Sequence, residues 1–145
     1  MKKILVSIFV LIVSAACLLA QNLGAQPGEK ISMKVGSRTF EIQLENNQVA
    51  KEFVIFAFGK DLKMQKYGGF EFYVYQRLNA GNEQKTSKYE KGKIYYNTTY
   101  NAISFAYADY DLGKAEAVLI GSFTDTSAGD YLKTLNNDII FSFSR

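Results

Sequence analysis

Apolar and polar residues alternate along much of this chain, starting near residue 31. Ile31, Met33 and Val35 are separated by polar residues, and residues 40–44 repeat the same period of two. This period is typical of a half-buried strand, because successive side chains of a strand point to opposite faces. Gly36 lies between the two runs and can adopt the positive φ of a tight turn. The pattern therefore predicts a β-hairpin at the start of the folded region.

The period changes to that of a helix between residues 47 and 58. Apolar residues recur there at spacings of three and four, at Val49, Ala50, Phe53, Val54 and Ala57. This spacing predicts one main helix with a single buried face. Asn46 or Asn47 can cap its first turn, and Gly59 can take the left-handed conformation at its end.

The remainder of the chain favours short strands joined by turns. A second hairpin is predicted over residues 62–75, and further strands at 94–96, 102–108, 117–123 and 139–143. Three other segments are predicted as a polar surface loop (79–92), a connection (109–116) and a short helix (130–135). A flat sheet of six to eight strands would leave long open edges. We therefore predict a mainly β fold, a closed or nearly closed barrel with one main helix and a short second helix.

Residues 1–25 are typical of a secretion signal peptide or lipoprotein leader. Lys2 and Lys3 precede an apolar run over residues 4–16, which is shorter than the ~20 residues of a stable membrane span. We expect removal of this leader, which leaves a domain over residues 31–145. The expected location is outside the cytoplasm: periplasmic, secreted or lipid-anchored in the cell envelope.

Cys17 is the only cysteine, and it stands where a lipid-attachment cysteine would stand. Ser14 occupies the position at which a lipobox prefers a large aliphatic residue. Two alternatives stay open: lipidation of Cys17, which would give the protein its one contact with a membrane, or loss of Cys17 with the leader. In both cases no free thiol is left for disulfide or thiol chemistry.

Composition excludes several classes of function. The chain has 17 basic and 14 acidic residues, and two of the basic ones, Lys2 and Lys3, fall in the leader. The folded part is thus nearly neutral, which argues against nucleic-acid binding. The absence of histidine excludes a histidine-based triad and a histidine metal site. No phosphate-binding or dinucleotide-binding glycine motif is present, so we expect no cofactor.

Four acidic residues raise the question of a calcium site: Asp109, Asp111, Glu116 and Asp125. Their spacing departs from the EF-hand pattern, because Gly113 comes one place early and no acid stands at the twelfth position. A solvated loop is the preferred interpretation, and no metal site is predicted.

Seven segments of the chain carry a family-like pattern of core and turn residues: 40–51, 62–64, 67–71, 89–94, 103–105, 120–125 and 139–143. In these segments the chain resembles the bacterial cyclophilin-like family, small β-barrel proteins that share the cyclophilin fold without being established proline isomerases. The resemblance covers nearly all of the chain from Ile31 onward. It implies a cyclophilin-like closed β-barrel.

The same resemblance argues against isomerase activity. A proline isomerase of this fold would have an Arg in a Phe-rich strand, a Phe-Met-x-Gln-Gly-Gly motif, and a Trp or His in its pocket. This chain has no Trp, no His and no such motif. It also departs from the family pattern at Gln48, at Lys93 and at residues 76–78, where the family often has Pro, Asp and Leu-Pro. The resemblance therefore implies architecture and leaves catalysis unassigned.

Tyrosines are concentrated in the second half of the chain, at Tyr67, Tyr73, Tyr75, Tyr95, Tyr96, Tyr100, Tyr107 and Tyr110. They either line a pocket or cover the outer face of the barrel in cross-strand pairs. For a pocket, the predicted ligand-binding residues are Glu71, Tyr73 and Arg77 from one strand with Phe105, Tyr107 and Tyr110 from another. Arg77 would donate to a carboxylate or carbonyl, or else be solvated at a strand end.

The first hypothesis for function is a non-enzymatic binding module that holds a small molecule or a peptide in an aromatic groove. One alternative is a peptidyl-prolyl isomerase-like enzyme with a degenerate or unfamiliar site. The other is a structural or interaction protein of the cell envelope, which would expose an apolar patch without a pocket. No catalytic residue and no oligomeric state are assigned.

Overall fold

The computed structural model describes residues 28–145. Its elements in chain order are β1 (Lys30–Val35), β2 (Arg38–Leu44), α1 (Gln48–Ala57), β3 (Asp61–Tyr67), β4 (Glu71–Tyr75), β5 (Lys88–Tyr89), β6 (Lys93–Asn97), β7 (Ala102–Ala106), β8 (Tyr110–Asp111), β9 (Ala117–Phe123), α2 (Ala128–Thr134) and β10 (Ile139–Ser144). Eight of the strands close into an antiparallel barrel in the order β1-β10-β3-β4-β7-β6-β9-β2. The other two, β5 and β8, pair with each other as a separate ribbon. The prediction of a mainly β closed barrel with a main and a short helix is confirmed.

The predicted leader and Cys17 lie outside the described residues. Within residues 28–145, no helix is long and apolar enough to cross a membrane.

The first hairpin and the main helix form where the sequence pattern places them. β1 and β2 pair around the turn at Gly36, whose φ of 57° is the left-handed conformation that glycine adopts without strain. In α1, all five residues of the predicted apolar stripe are buried. These local features depend on periodicity and turn chemistry alone, which explains why they could be predicted.

The barrel interior is filled by one apolar cluster, to which almost every barrel strand contributes alternate side chains. Phe105 of β7 lies at its centre, with ring centroids 5.1 Å from Phe141 and 5.9 Å from Phe143. Phe53 of α1 packs against the same two strands, 6.3 Å from Phe105 and 5.3 Å from Phe143. The helix is thus fixed to the barrel by its buried face.

Residues 79–92 differ from the predicted surface loop. Thr86 exchanges two backbone hydrogen bonds with Ala117, each 2.8 Å long, and β5 follows directly. Tyr89 of β5 is only 2% exposed. The loop prediction was therefore wrong for the end of this segment, because its polar composition concealed one anchoring aromatic residue. The predicted connection over residues 109–116 likewise contains β8, the partner of β5.

The cap of α1 allows a first test of the fold. The Asn47 side chain accepts a hydrogen bond from the Ala50 amide and donates one to the Leu119 carbonyl, both 2.8 Å long. Because one side chain satisfies both a helix terminus and a strand of the barrel, we expect Asn47→Ala to lower the free energy of unfolding by about 1–2 kcal/mol. Urea denaturation of the purified protein measures this change.

The matched control is Asn46→Ala, at the exposed neighbouring position. We expect it to change the free energy of unfolding by less than about 0.5 kcal/mol. Equal losses in the two variants would contradict the assignment of Asn47 as the cap.

Candidate functional site

A concave site lies on the outer face of the barrel, over β4 and β7, with a volume of about 340 Å³. We call it the outer trough: Ala102 and Ser104 of β7 form its floor, and Tyr73 and Tyr75 of β4 with Tyr110 of β8 form its walls. It lies outside the barrel interior, which is closely packed with side chains.

The trough exists because two neighbouring strands turn side chains of different size toward the outside. On β4, Phe72 points into the barrel, so Glu71, Tyr73 and Tyr75 point outward. In register with them on β7 are Ala106, Ser104 and Ala102. Large side chains beside a row of small ones leave a depression along β7.

The β5–β8 ribbon closes one side of the trough through aromatic contacts. Tyr110 of β8 stacks on Phe70, with ring centroids 3.6 Å apart and planes inclined by 4°. Tyr89 of β5 stacks on Tyr95 of the barrel at 4.7 Å. Phe70, Tyr89 and Tyr95 form a second apolar cluster with Ala106 and Ala117. The ribbon is therefore fixed to the outer face of the barrel.

A buried hydrogen-bond network supports the floor. The Tyr89 hydroxyl donates to Ser104 Oγ at 3.0 Å and accepts a hydrogen bond from Asn97 Nδ2 at 3.3 Å. Burial, followed by the nearby Glu71 carboxyl, raises the pKa of Tyr89 to about 12. Tyr89 is thus a neutral, fixed part of the site at physiological pH.

Among residues 28–145, Glu71 is the one carboxyl that lines the trough, and it is mostly buried. Burial raises its pKa from 4.5 to about 7, an effect that the Ser104 hydroxyl partly offsets. Its Oε2 atom is inaccessible to solvent and has no hydrogen-bond partner among the described residues. No Lys or Arg lines the trough in this part of the chain. The site therefore holds an ionisable acid without a compensating charge.

The trough also concentrates exposed aromatic surface. Of the six large apolar or aromatic side chains exposed in residues 28–145, four line it: Tyr67 (61%), Tyr75 (68%), Tyr100 (64%) and Tyr110 (44%). Clustered exposed apolar surface on a soluble protein commonly marks a binding site, whereas scattered single residues carry no such meaning.

The structure brings together three of the six predicted ligand-binding residues. Glu71, Tyr73 and Tyr110 all line the trough. Whether a ligand contacts them stays a prediction.

The other three predicted residues lie elsewhere, which corrects the expectation of a single shared cleft. Phe105 and Tyr107 belong to the interior cluster, because β7 turns Ser104 and Ala106 outward in their place. Arg77 is exposed beyond the end of β4 and does not line the trough.

Sequence reasoning missed several residues of the site and its support, among them Ser104 and Tyr89. Ser104 was overlooked because its aromatic neighbour Phe105 gave the stronger signal. Tyr89 was overlooked within a polar segment, although it is the only aromatic residue in residues 79–92. A single aromatic residue in such a segment is the signal that could have identified the anchor.

The four acidic residues considered for calcium have separate partners. Asp109 accepts a hydrogen bond from the Lys91 amide, and Asp111 accepts one from the Gly113 amide, both at 2.8 Å. Glu116 pairs with Lys85, and Asp125 pairs with Arg38. No group of three or more Asp, Glu, His or Cys side chains placed to hold a metal ion occurs within residues 28–145.

Comparison with known protein families gives a match over most of the chain. A family model described as the cyclophilin-like family matches residues 33–144, well over half of the chain. This region runs from within β1 to the last residue of β10, so it contains every strand that builds the trough. The chain has no significant match among curated proteins or among solved structures.

Proposed function

The chain belongs to the cyclophilin-like family, and from this premise we propose that it is a non-enzymatic binding module that holds a small molecule or a peptide in the outer trough. The trough itself supports the proposal: a concavity of about 340 Å³ walled by exposed tyrosines. Ligand sites in proteins are typically concave, mostly apolar and supplied with a few fixed polar groups. Glu71, Ser104 and Asn97 supply those groups here.

The rigidity of the site is consistent with binding. Ser104 and Asn97 are held by the Tyr89 hydroxyl, and the Tyr73 hydroxyl donates to Gln65 Oε1 at 3.0 Å. A site whose side chains are already fixed loses little conformational entropy when a ligand enters. The stacking of Tyr110 on Phe70 further restricts the motion of the wall that Tyr110 forms.

We also propose that the protein acts outside the cytoplasm. The leader-like sequence of residues 1–25 supports this location. The binding proposal does not depend on it.

A second candidate is an isomerase-like enzyme, and the pKa of Glu71, about 7, favours it. Carboxyls with raised pKa values in clefts are common at sites of acid–base catalysis. The chain lacks the Trp, the His and the sequence motif that a proline isomerase of this fold would have. Binding without catalysis is therefore the first proposal.

Fragment screening by NMR tests the binding proposal. A set of soluble neutral, cationic and anionic fragments is added to the ¹⁵N-labelled protein, and shifts of backbone amides are mapped. We expect at least one fragment class to shift amides of β4, β7 and β8, with dissociation constants on the order of millimolar, as is usual for ligands of so few atoms. Shifts confined to other surfaces, or no shifts with any class, would contradict the proposal.

Two trough variants and one control sharpen this test. Ala102→Leu adds bulk to the floor, and Tyr100→Ala removes an exposed wall; both are expected to weaken binding at least about fivefold. Ile55→Ala changes an exposed apolar residue on α1, outside the trough, and is expected to leave binding unchanged. If one of the two trough variants misfolds, the other still tests binding in the trough.

An isomerase assay separates the two candidates. With a proline-containing tetrapeptide anilide as substrate, we expect no acceleration of cis–trans isomerisation above the uncatalysed rate. If the protein accelerates isomerisation and Glu71→Gln abolishes the acceleration, the protein is an enzyme and the proposal of a non-enzymatic binding module is wrong.

A further inference from the structure

The charge of the trough restricts what it can bind. Among the described residues, Glu71 is the single carboxyl that lines it, and no basic side chain does. An anionic ligand would therefore meet a like charge and no counter-charge. A neutral ligand would leave the ionised carboxyl uncompensated, with Oε2 lacking any hydrogen-bond partner.

The aromatic walls favour a positively charged ligand, as the Glu71 carboxyl does. Tyr73 lies between Tyr67, at 6.2 Å and 86°, and Tyr75, at 5.2 Å and 73°. Because neighbouring rings are nearly perpendicular, the faces of several tyrosine rings can border the space inside the trough. The faces of aromatic rings carry negative partial charge and attract cations, and surrounding rings also exclude water from the contact.

Resting on the proposed binding function, we infer that the outer trough selects an organic cation, namely a primary ammonium group on a short apolar chain. The ammonium would lie beside the Glu71 carboxyl and supply its counter-charge, and the chain would pack against the tyrosine rings. The same chemical group occurs in free alkylamines and in the lysine side chain of a peptide.

The carboxyl is suited to this role by its position. In β4 it lies opposite Ala106, which carries no polar side chain, and the nearest polar side chain on the floor is neutral Ser104. A carboxyl that is partly desolvated in advance interacts more strongly with an incoming cation than a hydrated surface carboxyl does. The cation also provides the counter-charge that the fold itself does not.

A charge series of ligands of equal size tests the inference. The probes are n-butylammonium, n-butanol and n-butyrate, titrated into the ¹⁵N-labelled protein at pH 8. We expect n-butylammonium to bind in the trough at least about tenfold more tightly than n-butanol, and n-butyrate not to bind there. Equal affinity for n-butylammonium and n-butanol in the trough would overturn the cation inference while the binding function stands. If no probe and no fragment shifts the trough amides, the binding function itself is wrong.

The Glu71→Gln variant identifies the group responsible. It keeps the size and polarity of the side chain and removes the charge, so the preference for n-butylammonium over n-butanol is expected to fall to about threefold or less. The control Glu45→Gln changes an exposed carboxyl outside the trough and is expected to keep the full preference. A preference that survives in Glu71→Gln would overturn the role of this carboxyl.

The pH dependence gives an independent readout. Below pH 7 the Glu71 carboxyl takes up a proton, so the preference for n-butylammonium is expected to decrease between pH 8 and pH 5.5. The groups that couple to Glu71 are Tyr73 on its own strand, Tyr89 on β5 and Tyr107 after β7, and burial raises the pKa of all three, so they stay neutral. An unchanged preference over this range would contradict the inference.

Peptides distinguish the two sources of the ammonium group. Ac-Ala-Lys-Ala-NH₂ is compared with the same tripeptide containing norleucine, which lacks the ammonium group. Tighter binding of the lysine peptide than of n-butylammonium assigns the trough to a peptide ligand. Tighter binding of n-butylammonium assigns it to free amines.

Discussion

Replacing Phe105 by alanine is expected to lower the free energy of unfolding by about 3–5 kcal/mol, the usual cost of truncating a fully buried phenylalanine. The Phe105 ring has no exposed surface and lies 6.3 Å from Phe53, 6.4 Å from Phe123, 5.1 Å from Phe141 and 5.9 Å from Phe143. The substitution removes one ring from four aromatic pairs and leaves a cavity among strands that cannot close around it. Natural domains are stable by about 5–15 kcal/mol, so this loss is a large fraction of the total.

The control for Phe105→Ala is Tyr100→Ala. Tyr100 is 64% exposed at the trough, so removal of its ring is expected to change the free energy of unfolding by less than about 0.5 kcal/mol. Urea denaturation followed by circular dichroism measures both. Phe105→Ala is therefore predicted to affect stability, and Tyr100→Ala to affect binding. A stability loss below about 1 kcal/mol for Phe105→Ala would show that the ring is not at the centre of the core.

The local elements of the fold were predictable because each depends on residues close in sequence. The hairpin of β1 and β2 follows from alternation around Gly36, and α1 follows from a stripe of apolar residues between Asn47 and Gly59. Closure of the barrel depends on pairs far apart in the chain, such as β3 with β10 and β4 with β7. Alternation within one strand does not specify these partners, and for this step the family resemblance added what periodicity lacks.

The candidate site was harder to predict, and β7 shows why. All five residues of β7 are buried. Ile103 and Phe105 face the barrel interior, whereas Ala102, Ser104 and Ala106 face outward, at the floor of the trough and under the ribbon. Large residues alternate with small ones along β7, but in a strand covered on both faces this period does not tell which set faces the barrel interior. The choice of Phe105 over Ser104 as a site residue followed from this ambiguity. On β4, by contrast, inward Phe72 separates Glu71 from Tyr73, and both of these do line the trough.

The second large effect concerns Glu71 and the pH dependence of stability. Its pKa is raised from 4.5 in the unfolded chain to about 7 in the fold, because burial disfavours the charged form. The native state therefore holds this proton over a pH range in which the unfolded chain has released it. The resulting stabilisation is fully present below pH 4.5 and is lost as the pH rises through 7. For a rise from 4.5 to about 7, the total is about 3 kcal/mol at 1.36 kcal/mol per pKa unit.

Glu71→Gln is expected to remove this dependence. Because glutamine stays neutral, the variant should exceed the wild type in free energy of unfolding by about 3 kcal/mol at pH 8.5 and match it closely at pH 4.5. Urea denaturation at both pH values and at pH 6.5 measures the difference. Asp125, whose pKa is lowered by its hydrogen bonds with Ser127, contributes with the opposite sign, since its stabilisation is lost as the pH falls. It is present in both proteins and cancels in the comparison.

The control Glu45→Gln removes an exposed carboxyl, and its difference from the wild type is expected to be within about 0.5 kcal/mol at every pH. Stability profiles that run parallel for the wild type and Glu71→Gln would contradict the burial of this carboxyl. A gain of stability at pH 8.5 without a corresponding loss of n-butylammonium binding would separate the two roles assigned to Glu71. A gain of stability together with that loss is the expected result, because a site that keeps an uncompensated charge for its ligand is less stable without the ligand.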